Sequence, residues 1–256
     1  MPNSDETFHQ ISTASDSDEL TRLREELQAA GIDFFERREH VYSDDELRGY
    51  SLLSLFITSA ETGMGGPTHG TEFDLSNACP ECGTGARQQG ALVLDKSELP
   101  TKVDLFQTLN GEVLVSPSLK NAVEGAGLSG LELRLAISHR DGEKLEWFQL
   151  MPASEMPPWD SSSVGYLRER PCPSCDRDGY FGDTKVPLEV AYRKDALAAA
   201  AEISWTYERF GNSALREDFT ASHFAPPRPL VSPRFLDVLR KERVRNCAFL
   251  PVRAAD

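Results

Sequence analysis

The sequence predicts an α+β protein of two related lobes, each a small sheet with one main helix. Three observations carry that prediction. Leu114-Val115-Ser116-Pro117 recurs residue for residue as Leu230-Val231-Ser232-Pro233, an offset of 116. Each copy lies downstream of its own C-P-x-C knuckle, Cys79-Pro80-Glu81-Cys82 and Cys172-Pro173-Ser174-Cys175. Each copy also runs from a short apolar stretch into a helix start. Serine is a good N-cap there, and proline suits the first helical position, where its missing N–H costs nothing.

Carried forward without gaps, the offset matches Phe235 to Leu119, Val238 to Ala122, Leu239 to Val123, Val244 to Leu128 and Phe249 to Leu133. The matched positions are apolar throughout. The expected unit is a knuckle, connecting strands and then strand–helix–strand, occurring twice. The cysteine pairs are offset by 93, so the second copy carries about 23 extra residues between knuckle and helix. Cys247 falls opposite Leu131, an inward strand position where a lone cysteine behaves as a small buried hydrophobe.

The knuckles carry the chemistry. Proline after the first cysteine presets the turn, and Gly83 after the second permits a positive φ. Cys79, Cys82, Cys172 and Cys175 supply four sulfurs, the set a closed tetrahedral structural zinc site needs. The knuckles stand 90 positions apart, Cys82 to Cys172, so a shared ion of zinc-ribbon type has a whole lobe inserted between its halves. A disulfide framework suits a secreted chain, but no apolar signal segment follows Met1, and the expected compartment is the reducing cytoplasm. A thioredoxin-like motif needs one C-x-x-C opening a helix. Here proline, glycine and polar residues follow both pairs.

Composition limits the rest. With 27 basic and 41 acidic residues the formal charge is −14, which argues against general binding to a phosphate backbone and favours basic partners. The charge is uneven: Met1 to Asp74 carries 16 acidic and 5 basic residues, whereas Pro226 onward carries 7 basic and 3 acidic. No run approaches the ~18 apolar residues of a membrane span.

Four regions follow: a disordered leader over 1–18, an acidic segment over 19–75, a first lobe over 76–165 and a second over 166–256. Leu20, Leu23 and Leu27 predict an amphipathic helix to about Ala30, stopped by Gly31. Ser43-Asp44-Asp45-Glu46 is a capping-box pattern. Tyr50 to Thr58 reads as a buried strand or helix, which periodicity does not decide. Thr62 to Pro67 is a glycine-rich loop without the G-K-[ST] of a phosphate cradle. Strands are expected at Ala91–Leu94, Leu131–Leu135, Leu145–Gln149 and Leu188–Tyr192, with Asp195 capping a helix to about Glu202. His69, Glu72 and Asp74 cluster before the first knuckle, as metal ligands, a catalytic group or turn formers. His223 is the substitute ligand if the site is Cys3His.

Together Gly70 to Asp74, Cys79 to Gly85, Leu114 to Pro117, Cys172 to Cys175 and Leu230 to Pro233 give a resemblance. The chain resembles the double CxxCG-motif proteins of myxobacteria and related bacteria, from about the first helix to the C-terminus. Asp176 stands where the family's pattern puts glycine. The resemblance implies a non-enzymatic cytoplasmic protein, in some relatives an immunity protein that binds and neutralises a toxin of the same lineage.

The leading expectation is therefore a zinc-stabilised binding protein, an immunity factor for a basic toxin domain, with Glu36, Glu39, Asp44 and Asp45 on the partner-binding surface. A nucleic-acid-binding zinc ribbon is the alternative, supported by Arg240, Lys241, Arg243 and Arg245 and opposed by the overall charge. A scaffold with a purely structural zinc is another. No H-E-x-x-H, G-x-S-x-G or Walker pattern supports an enzyme, and a four-sulfur zinc has no open position for substrate.

Overall fold

The structure, a computed structural model, describes residues 17–34, 36, 38–58, 65–213 and 223–255. They divide between two units, Met1–His40 and Val41–Asp256. The expected leader falls almost wholly on residues 1–16 and so lies outside the described residues, as does the first half of the Thr62–Pro67 loop.

The first unit holds helix α1 (Asp18–Ala29). Its start is set by Ser17, whose hydroxyl accepts from the Leu20 N–H at 3.2 Å. Gly31, at φ +68°, follows the end as expected. Arg24 clasps the Glu36 carboxylate through Nε and Nη2. No residue of α1 is buried.

The second unit begins with α2 (Asp44–Arg48), β1 (Leu53–Ile57), β2 (Glu72–Asp74), β3 (Arg87–Gln89), β4 (Val93–Leu94), β5 (Leu105–Gln107) and β6 (Val113–Val115). There follow α3 (Pro117–Gly125), β7 (Leu131–Ser138), β8 (Lys144–Pro152), β9 (Tyr166–Arg168), β10 (Tyr180–Gly182), β11 (Ala191–Arg193) and α4 (Lys194–Ala199). The chain closes with β12 (Ile203–Trp205), β13 (Pro229–Val231), α5 (Pro233–Lys241), β14 (Cys247–Pro251) and β15 (Arg253–Ala255). The fold is thus mixed α+β. No helix among the described residues is long and apolar enough to cross a membrane.

Two larger sheets organise the unit, ordered β4-β7-β8-β6-β5 and β12-β13-β1-β14. In the first, β6 and β7 flank β8 and both run antiparallel to it, so α3 crosses between two parallel strands. In the second, α5 crosses between β13 and β14 on either side of β1. The registers agree as well. Val115 and Leu135 both face Phe148, and Val231 and Pro251 both face Leu53. Leu133 faces Leu150, and Phe249 faces Leu55. Every flanking pair keeps the offset of 116 seen in the sequence.

Finer contacts keep it at one end of each bond. The Ser116 N–H donates to the Asp104 carbonyl at 2.9 Å, and the Ser232 N–H to the Glu202 carbonyl at 2.7 Å. The Ala153 N–H donates to the Gly130 carbonyl and the Thr58 N–H to the Asn246 carbonyl, each at 2.8 Å. Beyond α3, Gly127 sits at φ +61°; beyond α5, Arg243 sits at φ +59°. A side chain in that left-handed region is strained, and Gly127 shows what relieves it. Arg243→Gly is expected to stabilise the protein by about 0.5–1 kcal/mol, read as a higher urea midpoint at unchanged slope.

Alternation along the strands explains how both sheets are buried on two faces. Val113, Val115, Leu53, Leu55 and Val231 point into a core shared with Leu119 and Val123 of α3 and Phe235, Leu236 and Leu239 of α5. Leu114 points the other way, into a cluster with Phe106 and Trp147, whose rings meet edge to face at 4.6 Å. Leu52 and Leu230 point into a third cluster around the fully buried Tyr192.

Several local expectations need adjustment. Tyr50–Thr58, undecided from sequence, contains a strand, because the slot between β13 and β14 takes it. The helix expected from Asp195 to Glu202 is α4, with Arg193 as its N-cap. Asp195 lies inside the first turn, held by Arg193 and by the Ala196 N–H, and Ala200 already has extended backbone. The Leu188–Tyr192 strand shortens to β11, which pairs in parallel with β15.

Candidate metal centre

Each knuckle sits between the strands of a small antiparallel hairpin, β2–β3 for the first and β9–β10 for the second. The turns close alike. The Gly83 N–H donates to the Cys79 carbonyl at 2.8 Å, and the Asp176 N–H to the Cys172 carbonyl at 2.9 Å. Gly83 has φ +72° and Asp176 φ +53°. Aspartate tolerates the left-handed region better than most residues, so the replaced glycine leaves the turn intact. Arg168 holds the Asp176 carboxylate at 2.7 Å. Gly83 is required for a further reason: a Cβ there would lie 2.4 Å from Cε1 of Phe224.

The four sulfurs meet. Sγ of Cys79 lies 3.7 Å from that of Cys172, and Sγ of Cys82 lies 3.5 Å from that of Cys175. All four lie within 4.8 Å of one another, the one such group among the described residues that could hold a metal ion. A tetrahedral ion with metal–sulfur bonds of 2.3 Å places its sulfurs roughly 3.8 Å apart. The donor set fits.

The surroundings bias the thiols in different directions. Burial raises the Cys79 thiol, but the N–H groups of Cys82 and Glu81 outweigh it and hold the group below its ordinary range. Burial pushes Cys82 well up, opposed by Thr84, whose N–H donates to Sγ at 3.5 Å and whose hydroxyl lies 3.1 Å away. Burial raises Cys175 likewise. A Glu81 oxygen stands 3.9 Å from Cys172 Sγ. Four sulfurs held so close could all ionise only with a cation among them to offset their mutual repulsion.

Two residues that support the knuckles were not singled out from sequence. Asp178 is buried, accepting from the Cys172 N–H at 2.7 Å and the Ser213 N–H at 2.8 Å, which pins the second knuckle to a distant loop. Thr84 braces Cys82. The signals were weak: an aspartate three residues after Cys175, and a threonine directly after Gly83.

The other candidates lie apart from the sulfurs. Asp74 accepts from the Ser76 N–H at 2.9 Å, a turn contact that holds its carboxyl below the usual range. Glu72 is exposed on β2, and His69 stacks edge to face on His139 at 5.5 Å. His223 Nδ1 lies 3.3 Å from Asn110 Oδ1. Cys247 is 8 % exposed within the shared core. Of the acidic residues assigned to a partner surface, Glu36 and Glu39 lie in the first unit and Asp44 and Asp45 in the second. Asp44 pairs with Arg240 at 3.0 Å, Asp45 with Arg48 at 2.6 Å and Glu36 with Arg24, so part of their charge is met by the chain's own arginines.

The chain matches no family model and no curated protein.

Proposed function

We propose that this chain is a zinc-clamped, non-enzymatic binding protein of the cytoplasm, an immunity protein that neutralises a basic toxin domain by direct binding. The observation that carries it is the convergence of two sulfur pairs from hairpins 90 residues apart, Cys82 to Cys172. A group of four sulfurs, the full complement of a tetrahedral ion, suits a closed structural ion rather than a catalytic one. The knuckle-bearing hairpins support a zinc-ribbon type of site. The common register, offset and crossover of the two sheets support an internal duplication, with the ion between equivalent knuckles. The resemblance to the double CxxCG-motif proteins supplies the toxin-neutralising half, and the net charge of −14 supplies the reason a basic partner would be steered in.

Purified protein should carry a single zinc ion per chain by elemental analysis. Where an adjacent reading frame encodes a basic toxin domain, co-expression of this chain should restore growth to cells making it. Absence of metal sinks the clamp, and absence of rescue sinks the immunity role. The association rate should fall as salt rises. Glu39→Lys should slow association roughly two- to threefold at low salt.

A further inference from the structure

Equivalent faces of the two sheets are treated differently. In the second sheet, α2 lies against α5 and β14. Leu47 is 3 % exposed within the shared core, and Tyr42 and Tyr50 pack against the same core. Polar contacts fasten the cover: Asp44 pairs with Arg240 at 3.0 Å, and Arg48 with Asp237 at 2.9 Å. On the face beneath, Val244, Cys247 and Phe249 are only 5 %, 8 % and 6 % exposed.

The offset of 116 carries those three residues back to Leu128, Leu131 and Leu133. These leucines are only half-buried. With Val123 and Glu124 they line an open groove of about 250 Å³ between α3 and β7. Topology explains the difference. β1 enters the second sheet from upstream and brings α2 with it. In the first sheet the central strand β8 follows β7 through a tight turn at His139–Glu143, which leaves no chain to form a helix there. The face that α2 covers in one sheet carries no helix of the second unit among the described residues of the other.

We propose that this groove docks a short amphipathic helix of a partner protein, seating a leucine-sized side chain on Leu128, Leu131 and Leu133 and a lysine or arginine against Glu124. The chemistry follows from the covered face. There Leu47 supplies the apolar anchor, and Asp44 in the first turn of α2 meets Arg240. Glu124 holds Arg240's position in the first sheet, so the sign of the matching charge inverts. Glu124 already shares an exposed i,i+4 pair with Lys120 at 2.6 Å. Such a pair contributes only a few tenths of a kcal/mol and does not block a second cation. Anchors one helical turn apart in a hydrophobic groove are a common recognition mode. A basic partner helix agrees with the charge of the whole chain. The existence of a partner rests on the binding-protein reading above, whereas the groove itself does not.

The probe is a synthetic peptide of residues 41–51 with Asp44→Lys, titrated into the 15N-labelled full chain. Amide shifts should appear at Leu128, Leu131 and Leu133 by millimolar peptide. The wild-type chain should prefer this peptide to the unmodified sequence roughly threefold, and Glu124→Lys should reverse the preference. Glu124 is exposed, so its replacement leaves the core intact. The proposal is overturned if no groove amide moves with either peptide, or if the preference ignores residue 124. Shifts confined to Val244–Phe249 also overturn it, because the peptide then merely displaces α2. If Glu124→Lys alone moves the amides of Asp18–Ala29, the occupant is this chain's own helix, and the partner assignment falls. None of these outcomes alters metal content or toxin rescue, so failure here stays distinct from failure of the immunity reading.

Discussion

Cys82→Ser is expected to strip the proposed zinc from the protein and to lower its stability by several kcal/mol, whereas Cys247→Ser should cost roughly 1–2 kcal/mol and leave metal content unchanged. The contrast is informative because both residues are buried cysteines, 3 % and 8 % exposed. Cys247 lies in an apolar core, where a hydroxyl forfeits packing and is taken out of water. Cys82 lies with three other sulfurs on a hairpin held to its counterpart across 90 residues of chain. Apparent zinc-binding free energies reach about 10–16 kcal/mol in small peptides, comparable with the net stability of a whole domain. Losing one ligand of four forfeits much of that. Urea denaturation with and without a chelator checks it: the chelator should reproduce the Cys82→Ser loss in the wild type and add little to the variant. Equal costs for the two serine variants would remove the clamp.

Gly130→Ala should cost about 2–4 kcal/mol. Gly130 joins α3 to β7 at φ +81°, and an added Cβ would stand 2.5 Å from Ala201 Cβ and 2.9 Å from the Ile203 carbonyl oxygen. The left-handed backbone contributes about 1 kcal/mol and the collision with the chain leading into β12 another 1–3. At the matching position of the second sheet, Asn246 instead reaches across, its Nδ2 donating to the Leu105 carbonyl at 2.6 Å. Each position therefore touches the edge strand of the other sheet. For a unit of this size the loss corresponds to a melting temperature lower by roughly 5–15 °C. A fall below 1 °C would mean the two sheets can separate locally at this point.

Much of the architecture was legible because local chemistry encoded it. Serine followed by proline marked the starts of α3 and α5, and the capping box at Ser43 marked α2. The repeated apolar positions matched the strand registers at the same offset. Asp176 departed from the glycine expected after the second knuckle, yet its turn closes as Gly83's does, because the backbone conformation rather than the residue was required. The acidic surface was less legible. Residue types show charge, but Asp44, Asp45 and Glu36 turned out to be matched by arginines of the same chain, one of them 196 positions away.

By itself the sequence determined the four cysteines of the candidate metal centre, the two strand–helix–strand units, their offset and the burial of Cys247, since each depends on residue type and spacing within a short window. Only the tertiary structure decided that β1 fills the second sheet from upstream, that the sulfur pairs stand 3.5–3.7 Å apart, and that one apolar face is covered by α2 while its counterpart carries no helix of the second unit among the described residues. Strand order and groove coverage depend on which of several distant segments packs best into a given slot. That competition leaves no periodicity in the chain.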